Sequence, residues 1–471
     1  MGQEIGQTQF QHADFVRFAR QLELETRALR EAESAGALGE EEPVIGLELE
    51  AWLLDPAGGP LPANEALLAA LGDPAVVPEL ARFNVEFNVA PQPLRGRGLA
   101  LLEQELRLRW TACRGAARGL GAELAAIGIL PTLRDADLTL ASMSPMQRYR
   151  ALNEQVQRLR HGAPVRLGIE GVERLASTHR DVMLEAATTS LQAHLQVPAA
   201  QAVRHYNAAI LLSAPMVALS ANAPFLFGRR LWAETRIPLF EQAVDAGPEA
   251  PPRVSFGSGY ATASLLEVFE ENLREHPVLL PIAFLPEGRE LAHLRLHNGT
   301  IWRWNRPLIG FDAAGRAHLR IEHRVMSAGP GFADMLANLA VFFGACRALA
   351  TMVEAPEERL PFKLARANFY AAARHGLEAE LVWLDGQRGT AAALLEDEIL
   401  PLARQGLADA GVETDLIQRY LGLARERLAA GQTGAVWQQR FVEAHGADMH
   451  ALTRAYLDRL HAGQPVHTWD A

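Results

Sequence analysis

Four segments of the chain alternate apolar residues with acids, amides, histidine or arginine, a pattern typical of strands with one buried and one polar face. The clearest is Leu319-Arg320-Ile321-Glu322-His323-Arg324, in which Arg320, Glu322 and Arg324 share a face. Two cations and one anion on one strand face are unfavourable unless they pair or bind a ligand. The alternation therefore predicts β-structure and places a candidate binding surface on its polar face.

The other three segments carry acids, amides and one histidine at every second position. Their polar sets are Glu48 with Glu50, Glu86 with Asn84 and Asn88, and Gln192 with His194. Taken alone, each segment is explained as well by an antiparallel sheet with one solvated face. Together they are harder to explain in that way, because a solvated face should mix acids and arginines within each strand. Here the first two sets hold no arginine and the fourth segment holds two.

Helical periodicity surrounds these strands and dominates the last third of the chain. Residues 14–33 and 99–124 are predicted helices, residues 182–197 a predicted strand region, and the pattern from residue 332 onward is almost wholly helical. Strands mixed with helices without a regular βαβ rhythm indicate the α+β class. We therefore expect a catalytic domain over residues 1–355 and a helical C-terminal extension over residues 356–471 packed on it.

Charge and cysteine content exclude several classes of protein. The formal net charge is −11, with 45 Lys and Arg against 56 Asp and Glu, and no polybasic run, so nucleic acid is not an expected partner. Two cysteines exclude a disulfide framework and fit buried thiols in a reducing cytoplasm. The apolar segment 335–353 contains Asn338 and Arg347, which suits a core helix and not a membrane span. We expect a cytoplasmic protein without a membrane partner.

The residue types on the polar faces point to metal and phosphate chemistry. Carboxylates with one imidazole are a largely hard ligand set that suits Mg²⁺ or Mn²⁺. Arginines beside them suit phosphate groups, which they hold by paired hydrogen bonds. The chain has no Gly-rich Walker loop and no GxGxxG between a strand and a helix, so nucleotide binding would depend on metals held by a sheet.

Six motifs, in the same order along the chain, resemble those of glutamate–cysteine ligase family 2, the plant- and bacterial-type family of the glutamine synthetase superfamily. They are Gly46-Leu47-Glu48-Leu49-Glu50, Asn84-Val85-Glu86-Phe87-Asn88, Gln192-Ala193-His194, Ala218-Leu219-Ser220-Ala221-Asn222-Ala223-Pro224-Phe225, Glu234-Thr235-Arg236-Ile237-Pro238 and Leu319-Arg320-Ile321-Glu322-His323-Arg324. Ala223 departs from the serine common there, and the third motif has one histidine where a pair is usual. The C-terminal third matches only loosely, so the acceptor pocket cannot be carried over.

The resemblance implies a glutamine-synthetase-like curved antiparallel sheet flanked by helices, with two or three divalent metals and ATP at its mouth. By that analogy the metal ligands are Glu48, Glu50, Glu86, His194 and Glu322. Arg320 and Arg236 face nucleotide phosphates, and Arg324 faces the substrate carboxylate or the transferring phosphate. Arg324 and Arg236 are the candidate catalytic residues, and Gln192 and Asn222 complete the predicted nucleotide-binding set.

The implied reaction is ATP-dependent formation of a γ-glutamyl amide bond through an acyl phosphate. The first-choice substrates are glutamate and cysteine, as in glutathione biosynthesis. Three alternatives stay open: a ligase with a different amine or amino acid, a phosphagen-kinase-like phosphotransferase, and a catalytically silent nucleotide-binding relative. A homodimer is also left open.

Several other polar and aromatic residues are predicted to be structural. Gln147, Arg148 and Tyr149 are assigned to a helix surface, with contact to substrate as the alternative. Trp302 and Trp304 are assigned to core or edge packing, with base stacking as the alternative. His323 has the opposite parity to Glu322 and is assigned away from the site.

Overall fold

The computed structural model describes residues 4–39, 42–248, 250–284, 289–312 and 314–470. The strands are β1 Val44–Leu54, β2 Val76–Pro78, β3 Asn84–Asn88, β4 Gln92–Pro93, β5 Glu123–Ala125, β6 Val165–Glu170, β7 Arg174–His179, β8 Ser190–Val197, β9 Phe225–Leu226, β10 Arg229–Arg230, β11 Val254–Ser255, β12 Trp302–Arg303, β13 Asn305–Phe311, β14 Ala317–Ser327, β15 Glu380–Val382 and β16 Arg388–Thr390.

The helices alternate with these strands along the chain and make up most of its C-terminal part. They are α1 His12–Ser34, α2 Asn64–Leu71, α3 Gly98–Gly119, α4 Gln147–Leu159, α5 Ala202–Ser220, α6 Arg236–Ala243, α7 Leu266–Glu275, α8 Ala292–Gly299, α9 Phe332–Ala350, α10 Pro356–Arg359, α11 Phe362–His375, α12 Ala391–Leu394, α13 Leu400–Asp409, α14 Thr414–Ala430, α15 Gly434–His445 and α16 Met449–Ala462. The predicted α+β class is confirmed.

A curved eight-stranded sheet joins the four segments that alternate in sequence. Its path is β13-β14-β8-β1-β3-β2, and β4 and β5 pair with the two ends of β1. All of these pairings are antiparallel. The register sets Glu50 opposite Glu86, and His194 opposite Glu322. Polar residues that are far apart in sequence therefore become neighbours on one face.

The opposite face of the sheet is covered by two buried helices. α5 and α9 pack on each other, and α5 packs on β14. His323 lies on this side, stacked on Phe342 with ring centroids 4.0 Å apart, which confirms that it points away from Glu322. In the described residues α9 is the one helix long and apolar enough to span a membrane, and 89% of its most apolar window is buried inside the protein.

The C-terminal helices pack on this helical layer. α13 crosses α9 at a pair of glycines, where a Cβ on Gly406 would collide with the carbonyl oxygen of Gly344. A fully buried ion pair, Arg427 Nη2 to Asp334 Oδ1 at 2.8 Å, joins α14 to α9. These contacts fit the predicted packing of the last third on the sheet, and the division at residue 355 stays a prediction.

Some predicted elements have different limits in the structure. α3 ends at Gly119, earlier than predicted, because Gly121 takes a positive φ of 70° and the chain then forms β5 along β1. The predicted strand region 182–197 is a strand only from Ser190, and Met183–Ala187 form a 3₁₀ helix before it. The β6–β7 hairpin was not predicted.

Candidate active site

A cavity of about 690 Å³ lies over the polar face of the sheet. β1 contributes Glu48 and Glu50 to its lining, and β14 contributes Arg320, Glu322 and Arg324. Because alternate side chains of a strand point to the same face, regular strands carry all five side chains into one cavity. The convergence of polar faces that the sequence predicts is therefore present.

Three ligand groups from three neighbouring strands meet at one point of this face. Glu48, His194 and Glu322, here called the histidine cluster, each offer a ligand atom within 4.8 Å of the others. His194 Nε2 lies 3.3 Å from Glu48 Oε1 and 3.9 Å from Glu322 Oε1. The antiparallel register of β1, β8 and β14 produces this approach, since His194 is paired with both Gly46 and Glu322.

Arginines surround the histidine cluster. Arg306 donates from Nε to Glu322 Oε2 at 2.7 Å and from Nη2 to Oε1 at 3.1 Å, a bidentate pair. Arg324 Nη1 donates to Glu322 Oε2 at 3.1 Å and to Gln192 Oε1 at 2.7 Å. Burial opposes ionisation of Glu322, but Arg306 and Arg324 outweigh it and hold the pKa of this carboxyl well below its usual value.

The same balance applies to the other carboxylate of the histidine cluster. Burial opposes the ionisation of Glu48, but the electrostatic interaction with His194 outweighs burial and lowers the pKa of Glu48 to about 2. Both carboxylates of the cluster therefore hold their negative charge at neutral pH.

A second group of ligands lies further along β1. Glu50, Glu79 and Glu86, here called the carboxylate cluster, offer oxygens within 4.8 Å of one another. Ser190 N donates to Glu50 Oε2 at 2.7 Å and Gln192 Nε2 to Glu50 Oε1 at 2.9 Å. Asn88 Nδ2 donates to Glu86 Oε1 at 2.8 Å. The hydrogen-bond donors to Glu50 and Glu86 are thus neutral groups.

This second cluster resists ionisation, because burial and the mutual repulsion of its acids outweigh the charges of Arg324 and Arg236 near Glu50. Burial and the charge of Glu79 raise the pKa of Glu50 to about 7. Burial and the charges of Glu48 and Glu79 raise the pKa of Glu86 well above its usual value. Converging carboxylates whose pKa values are raised by burial and by one another are an arrangement that a bound cation stabilises.

The donor set fits a hard divalent cation. Among the described residues, Glu48 Oε2, Glu79 Oε1, Glu86 Oε2 and both ring nitrogens of His194 are buried without a hydrogen-bond partner. Five carboxylates and one imidazole match the ligands that Mg²⁺ and Mn²⁺ prefer. The ligand roles predicted for Glu48, Glu50, Glu86, His194 and Glu322 stay predictions, and these residues are brought together as such roles require.

The structure places the other predicted site residues in three different ways. Arg320 and Arg324 line the cavity. Gln192 lies beneath it, between Glu50 and Arg324. Arg236, at the start of α6, is buried against Glu234 Oε1 at 3.2 Å and lines a small recess at the cavity floor together with Glu50 and Arg324.

Asn222 is not brought to the cavity, which corrects its predicted place in the nucleotide-binding set. Its Nδ2 donates to Ala328 O and to Tyr456 Oη, both at 2.8 Å, and its Oδ1 accepts from Gln438 Nε2 at 2.9 Å. All these groups are buried, and two of them belong to α15 and α16. Asn222 therefore fastens the C-terminal helices to the end of the sheet.

Several lining residues were not predicted. Arg148 and Tyr149 line the cavity, which corrects their first assignment to a helix surface. Trp302 lines it too and packs on Phe240 with ring centroids 6.4 Å apart, as predicted for packing. Trp304 is buried and donates to Glu241, as packing requires. Glu79, Glu185 and Arg306 are further additions. Of these, Arg306 is paired with Glu322 in the register of β13 and β14, a long-range pairing that places it in the cavity.

Comparison with known proteins gives a consistent result. The profile of a protein family described as glutamate–cysteine ligase family 2 matches residues 44–457. A protein of Rubrobacter xylanophilus named "Putative glutamate--cysteine ligase 2-3" is 28% identical over 407 residues, which cover 83% of this chain and 93% of that protein. The resemblance stated from the six motifs is confirmed.

Two solved structures share the fold. Glutamate–cysteine ligase from Francisella tularensis, solved in complex with AMP, superposes with a TM-score of 0.58 at 11% identity and covers 90% of both chains. A bifunctional glutathione synthetase from Pasteurella multocida gives a TM-score of 0.51 at 12% identity and covers 95% of this chain and 55% of the other. At such identities the likeness concerns the fold alone.

Proposed function

This chain belongs to glutamate–cysteine ligase family 2, a family of ATP-dependent carboxylate–amine ligases, and from that premise we propose that it joins the γ-carboxylate of glutamate to the amine of cysteine. The observation that carries the proposal is the presence of two hard-ligand clusters and three cavity-lining arginines, Arg306, Arg320 and Arg324, on one face of one sheet. Activation of a carboxylate by ATP needs these two kinds of group.

The reaction has two steps. An oxygen of the γ-carboxylate attacks the γ-phosphorus of ATP, and the bond from phosphorus to ADP breaks. The amine nitrogen then attacks the carbonyl carbon of the acyl phosphate, phosphate leaves with the electron pair of the C–O bond, and the nitrogen loses its extra protons. Phosphoryl transfer needs mainly positioning and charge compensation, and little covalent help from the protein.

The side chains of the cavity match these needs. The histidine and carboxylate clusters would hold divalent metals, which supply positive charge to the phosphates. Arg320 and Arg324 add fixed cations, and Arg306 holds Glu322 in place. The cavity lining also includes the apolar residues Leu80, Leu152, Phe269 and Leu296, which would limit the access of water to an acyl phosphate.

One assay tests the proposal. Purified protein is supplied with ATP, Mg²⁺, glutamate and a panel of amines that includes cysteine and apolar amines, and ADP and phosphate release are followed separately. We expect phosphate release that requires the amine, with the highest kcat/KM for cysteine. Release of phosphate at the same rate without any amine would falsify the ligase, and ADP release without phosphate would indicate a phosphotransferase.

A matched pair of variants links the assay to the site. Glu50→Gln removes one charge from the carboxylate cluster and should lower the rate at least about 100-fold, as loss of a metal ligand does. Glu170→Gln makes the same change on the exposed hairpin strand β6 and should leave the rate unchanged. Full activity of Glu50→Gln contradicts the ligand assignment.

A further inference from the structure

On the basis of the ligase reaction proposed above, we propose that the Glu185 carboxyl group receives the ammonium group of an amino-acid substrate. Glu185 lies in the 3₁₀ helix Met183–Ala187, which the sequence pattern did not separate from the strand that follows. Its side chain lines the main cavity and also the recess at the cavity floor, where it adjoins Glu50, Arg236 and Arg324.

The backbone around Glu185 is fixed from both sides. Val182 N donates to Asn153 Oδ1 of α4 at 3.1 Å, and Thr188 Oγ1 donates to the carbonyl oxygen of Glu185 at 3.0 Å. These two hydrogen bonds anchor the short turn that carries Glu185, and its side chain extends from this turn to the cavity. A group held in this way can recognise a ligand without the cost of ordering a loop.

The carboxyl group itself lacks the partner that such a position calls for. In the part of the chain that the structure describes, Glu185 Oε2 is buried without a hydrogen-bond partner. A half-buried carboxyl next to the recess residue Phe240 is satisfied, since Glu241 accepts from Trp304 Nε1 at 2.9 Å and from Tyr370 Oη at 2.8 Å. A buried acceptor without a donor is unfavourable, so a ligand that brings a donor binds there favourably.

Charge decides which ligand fits. Glu50 and Glu79 are the nearest acids and disfavour any anion at this point, and together with burial they raise the pKa of Glu185 well above its usual value. A metal is disfavoured because Glu185 belongs to neither group of three ligand atoms within 4.8 Å. An ammonium group brings positive charge and N–H donors together. Arg236 and Arg324 nearby suit the carboxylate that an amino acid carries with its ammonium group.

Two sources can supply the ammonium group: the α-ammonium of the donor glutamate or the ammonium of the acceptor. A two-by-two substrate series separates them in wild type and in Glu185→Gln. Glutamate or glutarate, which lacks the α-ammonium, serves as donor. Cysteine or hydroxylamine, which is uncharged at neutral pH, serves as acceptor. The readout is the ratio of kcat/KM between wild type and variant for each of the four pairs.

We expect that ratio to be about tenfold or more for pairs that contain the recognised ammonium group, and within about twofold for glutarate with hydroxylamine. If kcat/KM falls only in the pairs that contain glutamate, Glu185 recognises the donor. If it falls only in the pairs that contain cysteine, Glu185 recognises the acceptor. Glu185→Asp, which keeps the charge, should recover part of the loss. Calorimetry with Mg²⁺ and ADP should show that wild type, but not Glu185→Gln, distinguishes the recognised substrate from its analogue without an ammonium group.

The matched control is Glu241→Gln, which changes a half-buried carboxyl that already accepts two hydrogen bonds and is expected to give one ratio for all four pairs. The same uniform ratio in Glu185→Gln would overturn the inference, because a merely structural role does not distinguish substrates. If Glu185→Gln instead raises the Mg²⁺ concentration for half-maximal rate equally for all four pairs, Glu185 belongs to metal binding. That result also overturns the inference. Failure of the ligase proposal looks different, since wild type then turns over none of the four pairs.

Discussion

The histidine cluster and the carboxylate cluster lie on the same sheet face and share strand β1, yet their surroundings differ. Glu322 of the histidine cluster is held by two arginines, and Glu48 is beside His194. Glu50 and Glu86 of the carboxylate cluster accept hydrogen bonds from the neutral groups of Ser190, Gln192 and Asn88. The pKa values therefore move in opposite directions, downward for Glu48 and Glu322 and upward for Glu50 and Glu86.

This difference separates two ways of preparing a metal site. The histidine cluster keeps its negative charge in the metal-free protein, because the compensating cations are part of the fold. The carboxylate cluster holds protons in place of those cations and releases them when a metal binds. A site of the first kind is ready at any neutral pH, whereas the second competes with protons for its ligands.

The largest expected effect concerns stability in the absence of metal. Glu322→Gln leaves the buried guanidinium groups of Arg306 and Arg324 without their anion and should lower the free energy of unfolding by about 3 kcal/mol. Glu86→Gln removes a carboxyl that is unfavourable when ionised and should leave the stability equal or increased. Urea unfolding in the presence of EDTA at pH 8 measures both variants.

Both variants should lose ATP turnover, so activity alone does not distinguish the clusters. Equal destabilisation by Glu322→Gln and Glu86→Gln would contradict the contrast drawn between them. Glu170→Gln, on the exposed hairpin, serves as the control and should change stability by no more than about 0.5 kcal/mol.

The next effect is the pH dependence of metal binding. The pKa of Glu50 is about 7 in the metal-free protein, so below pH 7 a metal must displace its proton and above pH 7 it need not. Calorimetric titration with Mn²⁺ in two buffers of different ionisation enthalpy should show more protons released at pH 6 than at pH 8. Glu50→Gln should lower the number released at pH 6 by about one. Binding at pH 6 without proton release would be incompatible with the raised pKa.

The same shift has a consequence for folding. Glu50 has a folded-state pKa above its ordinary value of 4.5, so its contribution to stability is complete below pH 4.5 and is lost as the pH rises through about 7. Glu86 and Glu185 act in the same direction. Metal restores the loss at the carboxylate cluster, and the difference in melting temperature between Mg²⁺ and EDTA should therefore grow from pH 5 to pH 8.

A smaller effect is expected from the support of the histidine cluster. Arg306→Lys keeps the charge but cannot form two parallel hydrogen bonds to Glu322, so the carboxylate loses its fixed orientation. We expect the Mg²⁺ concentration for half-maximal rate to rise about tenfold. The substitution should have little further effect in the Glu322→Gln background, and an undiminished effect there would mean that Arg306 acts through another group.

The sequence predicts which side chains share a strand face, but it does not predict which strands lie side by side. Parity along a strand fixes which side chains share a face, so Glu48, Glu50, Arg320, Glu322 and Arg324 could be assigned together. Strand order and register depend on long-range pairing that no local pattern contains. The approach of His194 to Glu322 followed from the family resemblance and is explained only by the register of β8 and β14.

The residues that the sequence did not reveal lie where regular alternation stops. Glu79 comes directly after the short strand β2, and Glu185 lies in a 3₁₀ helix, so neither belongs to a periodic pattern. Asn222 shows the opposite failure. It occurs in a motif of the family but is used to hold α15 and α16 against the sheet. A match to a family motif therefore does not specify what each polar side chain in it contacts.

The smallest expected effect belongs to the neutral support of the carboxylate cluster. Asn88 Nδ2 donates to Glu86 Oε1 at 2.8 Å, and a neutral hydrogen bond of this kind contributes about 1 kcal/mol. Asn88→Ala should therefore raise the Mg²⁺ concentration for half-maximal rate by less than about tenfold, and by less than Arg306→Lys does. The two variants are compared in one titration series at pH 8, where Glu50 is largely ionised. If Asn88→Ala had the greater effect, the orientation of Glu86 by a neutral donor would matter more than the charge compensation of Glu322. The difference between the two clusters would then be one of geometry and not of charge.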